Sequence, residues 1–333
     1  MNLGEHSYGI TVGRGLLERA GEYFNLSRRV FIVTDDGVPK EYAEKVAASA
    51  KEYKIVTVPS GEGSKSIETY SYLLAEMVSF GLTRTDCAVA VGGGVIGDLT
   101  GFAAASYMRG IDFYNVPTTL LSQVDSSIGG KCAVNHSGVK NIVGAFHQPR
   151  GVIVDIDTLK TLPMRHISNG LAESVKMALT SDEGLFSLFE RVENPLDCLE
   201  DIILASLKIK KAVVEEDEKE TGLRKILNFG HTLGHGIEAS SGMEEYLHGE
   251  CVAMGMIPVC SAEVRKRLIP VLEKLSLPTE YKGDIDAAAA LTAHDKKCDG
   301  DRVSVVLVES VGSYAIEKMK ISDFLSLVRR VLK

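Results

Sequence analysis

Residues 86–98 read DCAVAVGGGVIGD. Residues 87–91 are apolar on both faces of the pleat, as in a strand buried within a parallel sheet. Gly92, Gly93 and Gly94 end that run, and Gly97 with Asp98 opens a helical segment. Glycines here let the backbone approach a pyrophosphate closely, and the start of the helix presents free amides to an anion. A tight strand-to-helix turn without a ligand has the same pattern, so the loop alone leaves both readings open. It also differs from the usual dinucleotide fingerprint, in which GxGxxG follows the first strand. Here the loop follows about the fourth.

Outward from this loop, short β-rich runs alternate with helix-length segments. Residues 6–12 alternate at period 2, and residues 30–34 (VFIVT), 54–59 (KIVTVP), 113–116 and 152–155 (VIVD) complete the set of strands. Residues 39–51, 66–80 and 95–109 are long enough for crossover helices. Strand–helix–strand repetition predicts a Rossmann-like parallel α/β sheet over residues 1–160. Residues 161–333 have mostly helical patterns, at 170–178, 195–216, 224–239, 250–266 and 322–332, with one strand pair at 303–308 and 313–316 turning around Gly312. The join at 161–163 is short, which predicts close packing of the two domains around a cleft.

Composition bounds the function. A chain of 333 residues suits two domains. With 45% hydrophobic and 25% charged residues, it is neither collagen-like, disordered nor coiled coil. Lys plus Arg total 37 against 45 Asp plus Glu, and the net charge of -8 argues against nucleic acid as a partner. Tryptophan is absent, which removes the best base-stacking side chain. The N-terminal residues lack a secretory signal pattern, and no apolar run reaches the ~20 residues of a membrane span. Cys87, Cys132, Cys198, Cys251, Cys260 and Cys298 form no CxxC pair, and their spacing reads as free thiols in a reducing cytosol.

Three further loops fall at the carboxyl ends of predicted strands, the ligand edge of such a sheet. They carry Asp35 with Asp36, then Gly61, Glu62 and Lys65, then Thr118 and Thr119. Together with the glycine loop they point to a dinucleotide.

The second half offers a metal constellation. His231 and His235 stand at i, i+4 and share a helix face. Thr232 follows His231, so the HExxH metalloprotease pattern is absent. His248 stands in YLHGE, and Glu173 opens an apolar helical stretch, where a carboxylate is costly unless paired or metal-bound. One carboxylate with two imidazoles and an open position is a catalytic zinc pattern. Two ordinary histidines are the plainer alternative; the flanking Gly230, Gly234, Gly236 and Gly249 weigh against it. Cations gather near the same motifs: Lys131 in VDSSIGGK, Lys140 beside Asn141, Lys176 one turn after Glu173, Lys210 and Arg224 around an acidic run, and Lys296 and Lys297 in HDKK. In an acidic chain this placement suggests a pocket for a multiply anionic small molecule.

Residues 92–149 (GGGVIGDLTGFAAASYMRGIDFYNVPTTLLSQVDSSIGGKCAVNHSGVKNIVGAFHQP) resemble the 3-dehydroquinate synthases. So do GLAESVK at 170–176, VVEEDEKETGLRKILNFGHTLGHGIEA at 213–239, YLHGECVAMGM at 246–256 and DKK at 295–297. The resemblance runs from about residue 35 to residue 297, most of the chain. It implies conversion of 3-deoxy-D-arabino-heptulosonate 7-phosphate to 3-dehydroquinate and phosphate, on the shikimate route to aromatic amino acids. The implied course is transient oxidation by NAD, phosphate elimination, re-reduction, ring opening and aldol closure, a net lyase reaction. The resemblance also implies a divalent metal, zinc or cobalt, and a cytosolic homodimer.

Carried over motif by motif, the implied metal ligands are Glu173, His231 and His248. The implied substrate residues are Asp125, Lys131, Asn141, Lys176, Lys210, Glu220, Arg224, Asn228, His235 and Lys297. Arg109 in YMRG would reach the neighbouring subunit's active site. NAD would be held by Gly92, Gly93, Gly94, Asp98, Thr118 and Thr119, with Asp125, Lys131, Lys140, Thr158 and Thr161, and on the adenosine side by Asp35, Glu62 and Lys65. Two positions depart from the family pattern. TDxN is here Thr34, Asp35, Asp36, Gly37, which removes an implied ribose contact, and Cys298 replaces the Asn that often follows DKK. Neither is expected to change the reaction. The rivals are an inosose- or valiolone-forming cyclase, a metal-dependent glycerol or glycerol-phosphate dehydrogenase, and an inactive NAD-binding scaffold.

Overall fold

The strand expected at 87–91 is the fourth of a six-stranded parallel sheet. The computed structural model describes residues 1–220, 222–241, 245–291, 298–299 and 301–332, the side chains of 298 and 299 excepted. The chain divides into two compact units, Met1–Pro163 and Met164–Lys333.

The first unit contains strands β1 (Gly9–Gly13), β2 (Arg29–Asp35), β3 (Glu52–Val58), β4 (Cys87–Gly92), β5 (Asp112–Pro117), β6 (Lys131–His136), β7 (Val139–Phe146) and β8 (Gly151–Asp155). Its helices are α1 (Ala20–Tyr23), α2 (Lys40–Ala47), α3 (Ile67–Ser79) and α4 (Gly94–Ser106). The sheet order is β1-β8-β5-β4-β2-β3, with every pairing parallel. Both faces of β4 are covered: Ala88 and Ala90 pack with Phe31, Leu73 and Ile96, while Val89 and Val91 pack with Ile32, Val46 and Tyr114. That double burial is why 87–91 has no polar alternation. From β2 the chain steps outward to β3, then returns to β4 and continues the other way through β5. The topological switch point therefore lies between β2 and β4, whose carboxyl ends carry Asp35 and the glycine loop.

The sequence reading did not include the antiparallel hairpin β6–β7. Its turn residues Ser137 and Gly138 both have positive φ, at 51° and 76°, as a two-residue hairpin turn of the primed kind requires. Most of β7 is exposed or half-buried, so its residues need no apolar alternation and leave little periodic signal.

The second unit is built on α5 (Met164–Ser181), α6 (Glu183–Arg191), α7 (Leu199–Glu216), α8 (His231–Ser240), α9 (His248–Met256), α10 (Ala262–Lys274), α11 (Ile285–Leu291) and α12 (Ile321–Val331). In α5 every residue from Ile167 to Thr180 is buried, which marks it as the central helix of the unit. It is longer than the 170–178 pattern suggested. Two expected helices are broken. The 224–239 segment divides into a 3-10 turn (Leu223–Asn228) and α8, because Gly230 takes the left-handed conformation at φ 75°. A Cβ at Gly230 would also lie 2.7 Å from Met256 Cγ, so a glycine permits the close approach of α8 and α9. The 250–266 segment ends α9 at a short 3-10 turn containing Pro258, and α10 restarts where Ser261 Oγ accepts from the Val264 amide. Helices α6 and α11 were not anticipated.

Strands β9 (Cys298–Asp299), β10 (Arg302–Leu307) and β11 (Ala315–Lys320) form a small antiparallel sheet, and β11 runs further than the expected 313–316. Among the described residues, no helix is long and apolar enough to cross a membrane. The five cysteines with described side chains, Cys87, Cys132, Cys198, Cys251 and Cys260, are free thiols.

Candidate active site

In the first unit, the expected cofactor residues gather at the carboxyl ends of consecutive strands. Asp35 ends β2, Glu62 and Lys65 follow β3, Gly93 and Gly94 follow β4, and Thr118 and Thr119 follow β5. The Thr118 amide donates to Gly92 O at 2.9 Å, locking two of these loops together. A Cβ at Gly93 would lie 3.0 Å from Thr119 Cγ2, so the two loops are in close contact. Gly93 begins α4 without a side-chain cap, which leaves the helix start suited to an anion.

Ion-pair and hydrogen-bond contacts brace these loops. The Lys65 ammonium is buried 2.5 Å from Asp98 Oδ2. Burial disfavours its charge, but Asp98 and Glu62 outweigh burial and raise its pKa. Asn135 donates to Glu62 Oε1 at 2.8 Å and accepts from the Asn141 amide at 2.9 Å, which joins the β3 loop to the hairpin. The Gly37 amide donates to Asp35 Oδ1 at 2.9 Å. Burial raises the Asp35 carboxyl above its usual range despite that bond. Thr158 is buried; its hydroxyl donates to Asp155 O and accepts from Gln123, while the Thr161 hydroxyl reaches Tyr42 at 2.9 Å. Asp125 sits half-buried in the turn after β5, and Lys131 and Lys140 lie on the hairpin, Lys131 exposed and Lys140 half-buried.

The second unit brings Glu173, His231 and His248 together. One ligand atom from each lies within 4.8 Å of the others. Glu173 comes from α5, His231 opens α8 and His248 opens α9. Glu173 is 1% exposed, so its charge must be compensated. Its Oε2 is in ion-pair contact with Lys176 Nζ, while Oε1 has no hydrogen-bond partner among the described residues. Both His231 Nε2 and His248 Nε2 face Oε1 at 3.6 Å. Burial raises the Glu173 carboxyl, and Lys176 with His248 more than reverses that, holding it low. An orphaned buried carboxylate oxygen facing two imidazole nitrogens fits a divalent cation with nitrogen and oxygen preference. His231 is oriented for this: its Nδ1 bonds to Phe229 O at 3.0 Å.

The expected substrate residues of this unit that the structure describes lie on α5, α7, α8 and the segment joining α7 to α8. Lys176 donates to Leu227 O at 2.8 Å, tying α5 to the turn before α8. Lys210 and Arg224 are buried, Arg224 donates to Glu218 O, and Asn228 donates to Glu220 Oε1 at 2.9 Å. The His235 ring stands 5.3 Å from that of His231 and 6.0 Å from that of His248. Three nominated residues, Arg109, Asn141 and Glu220, are non-glycine residues at positive φ, a strained conformation that functional sites often hold. Lys297 and Lys296 lie outside the described residues, as does the Cys298 side chain.

Several supporting residues were not picked out from sequence. Asp217 Oδ2 accepts from the amides of Gly222 and Arg224, fixing the turn that carries Arg224. Asn169 Oδ1 accepts from the Gly249 amide at 2.6 Å, and Arg165 makes a two-pronged bond to Glu250. Both anchor the start of α9, and so His248, to α5. Glu238 stands on the His231–His235 face of α8, at i+7 from His231, a spacing visible in HTLGHGIE.

Solved structures show the class that this architecture defines. A 2-deoxy-scyllo-inosose synthase complexed with carbaglucose-6-phosphate, NAD+ and Co2+ superposes with a TM-score of 0.87 at 28% identity, covering 97% of this chain and 96% of that one. The 2-epi-5-epi-valiolone synthase of Streptomyces hygroscopicus subsp. jinggangensis 5008, with NAD+ and Zn2+ bound, gives 0.86 at 28% identity and covers 99% of both chains. The fold is thus that of the dehydroquinate synthase-like cyclases.

Within that class, residues 55–169 match the 3-dehydroquinate synthase N-terminal family model, and residues 170–298 the 3-dehydroquinate synthase C-terminal one. A 3-dehydroquinate synthase of Enterococcus faecalis is 42% identical over 351 residues, covering 99% of this chain and 98% of that protein. The chain belongs to the 3-dehydroquinate synthase family.

Proposed function

We propose that this enzyme is an NAD- and metal-dependent carbon–oxygen lyase that converts 3-deoxy-D-arabino-heptulosonate 7-phosphate to 3-dehydroquinate and phosphate. The carrying observation is the orphaned Glu173 Oε1 facing two imidazole nitrogens in a chain of this family. Its cyclase relatives of known structure are 28% identical, against 42% for the Enterococcus protein, which favours the dehydroquinate reaction.

NAD supplies a reversible hydride acceptor, and zinc or cobalt supplies a Lewis acid that lowers the cost of negative charge on oxygen. Glu173, His231 and His248 hold the metal. Gly93, Gly94 and the start of α4 would receive the pyrophosphate, Asp35, Glu62 and Lys65 would hold the adenosine side, and Thr118 and Thr119 would steady the cofactor. Lys131, Asn141, Lys210, Arg224 and Lys297 donate to the substrate's phosphate and carboxylate. Asp125, Glu220 and Asn228 hold its hydroxyls. Orienting the substrate and balancing its charge are the ways in which these groups lower the barrier. His235 moves a proton to or from a substrate oxygen through its imidazole. The enzyme works as a cytoplasmic homodimer in which Arg109 completes the neighbouring subunit's site.

Substrate preference tests the reading. Purified enzyme with NAD and Co2+ is offered the heptulosonate phosphate or a hexose 6-phosphate, and phosphate release is followed. Release from the carboxylate-bearing substrate, at a rate at least ~100-fold above the hexose phosphate, is the expected result, because buried donors left without their anion penalise the wrong substrate. Release from the hexose phosphate alone would assign the chain to another cyclase activity.

A further inference from the structure

We infer that Glu238 is a positioning residue of the metal centre, holding the Nδ1 side of His248 so that Nε2 faces Glu173. The inference rests on the ligand set proposed above. His248 lies between two carboxylates: its Nε2 is 3.6 Å from Glu173 Oε1, and its Nδ1 is 3.6 Å from Glu238 Oε2. Glu238 projects from α8 on the face that carries His231 and His235, and its side chain is 13% exposed.

The backbone of His248 is already anchored. Asn169 holds the Gly249 amide, and Glu250, braced by Arg165, accepts from the Leu247 amide at 2.7 Å. Those contacts place the start of α9 but leave the ring free to turn. The χ2 torsion of histidine is broad and nearly two-fold, so a half-turn exchanges Nδ1 and Nε2 at little intrinsic cost. A carboxylate beside Nδ1 breaks that symmetry. It favours the tautomer with the proton on Nδ1, which leaves the Nε2 lone pair free for a cation. His231 is treated in the same way by a different acceptor, Phe229 O at 3.0 Å from its Nδ1. Each histidine thus has an oxygen beside Nδ1, at hydrogen-bond distance for His231 and at 3.6 Å for His248, and Nε2 turned to the same carboxylate oxygen.

Glu238, His235 and His248 also lie close enough to form a second ligand group. It would have to share His248 with the first group. An imidazole bridging two cations must give up both its ring protons, whereas a carboxylate at Nδ1 requires it to keep one. The geometry therefore favours an orienting role for Glu238 over a second cation site.

The test uses full-length, metal-stripped protein titrated with Co2+ in the presence of a competing chelator, with the visible cobalt absorption recorded alongside. Wild type, Glu238→Gln, Glu238→Ala and His248→Ala are compared, with a thermal melt of each metal-free protein. The expected result is one cobalt per chain, affinity about 10–100-fold weaker in Glu238→Ala with an altered cobalt spectrum, a smaller loss in Glu238→Gln, and metal-free melting close to wild type. Glu238→Gln keeps the shape and one acceptor, so it carries the test if the alanine variant misfolds. Wild-type affinity and spectrum in both Glu238 variants would overturn the role. So would two cobalt ions per wild-type chain with only the weaker one lost on changing Glu238. Full cobalt occupancy in His248→Ala would instead overturn the ligand set on which the role rests.

Discussion

His231 Nε2 lies 3.6 Å from Glu173 Oε1, and His248 Nε2 keeps the same separation from that oxygen. Three helices converge on a single buried carboxylate oxygen whose hydrogen bonding is left open. Lys176 balances the carboxylate through Oε2, and the open Oε1 between two imidazoles suits a further cation.

The first prediction follows from that oxygen. Glu173→Gln keeps volume but removes the charge between the imidazoles. Equilibrium dialysis with Zn2+ is expected to show at least ~100-fold weaker binding, since losing a ligand should cost more than the 10–100-fold typical of losing a residue that only orients one. Zinc bound as tightly as in wild type would remove Glu173 from the ligand set.

Lys176 gives the second. Its ammonium is 2% exposed, contacts Glu173 Oε2 and donates to Leu227 O. Lys176→Met leaves the carboxylate buried without its cation, and the metal-free protein is expected to lose about 3–5 kcal/mol of stability. Denaturant melts with and without Zn2+ check this, because bound metal supplies the missing positive charge. A loss of the same size in the loaded protein would show that the lysine acts through packing alone.

The glycine loop supplies a third. Gly93→Ala places a methyl 3.0 Å from Thr119 Cγ2, tighter than ordinary contact. NAD binding followed by isothermal titration calorimetry is expected to weaken roughly 10-fold, a cost of about 1.4 kcal/mol. Gly93→Ala combined with Thr119→Ser removes the opposing methyl and should recover part of it. Metal affinity serves as the control and should stay at the wild-type value.

A fourth concerns acid stability. Burial raises the Asp86 carboxyl, but bonds from the Thr83 hydroxyl and the Thr83 and Arg29 amides outweigh burial and hold it below its ordinary range. A folded-state pKa below the unfolded one adds stability above the unfolded value, near ~3.9, and that stability is lost as pH falls through the folded value. Asp86→Asn should therefore cost about 1–3 kcal/mol at pH 7, with the deficit shrinking below pH ~4. A deficit independent of pH would show that the charge plays no part.

These predictions draw unequally on what the sequence made legible. Strand β4 and its neighbours were readable because burial on both faces forces unbroken apolar runs, and the order of loops at their carboxyl ends followed from the parallel arrangement. Glu173, His231 and His248 could be singled out because a carboxylate in an apolar helix and glycine-flanked histidines are chemically conspicuous. The hairpin that carries Lys140 and Asn141 was not, because β7 is largely exposed and leaves no alternation to read. The break at Gly230 was hidden for another reason. A glycine within a helical pattern is tolerated, and only the approach of α9 to within a methyl's reach shows why this one ends the turn. Glu238, Asn169 and Asp217 act through other residues, and sequence spacing gives no sign of which partner a polar side chain will find. Glu238 was not singled out from the sequence: it shares the histidine face at i+7 from His231, but its position beside His248 Nδ1 depends on how α8 packs against α9.

The most direct test of the central claim is the stoichiometry of the reaction itself. Zinc- or cobalt-loaded enzyme is given the heptulosonate phosphate and NAD, and phosphate, 3-dehydroquinate and NADH are measured in the same sample. One phosphate and one 3-dehydroquinate per substrate consumed, with no net accumulation of NADH over many turnovers, is the expected result. NADH rising in step with substrate loss, with no phosphate released, would contradict it and identify a dehydrogenase.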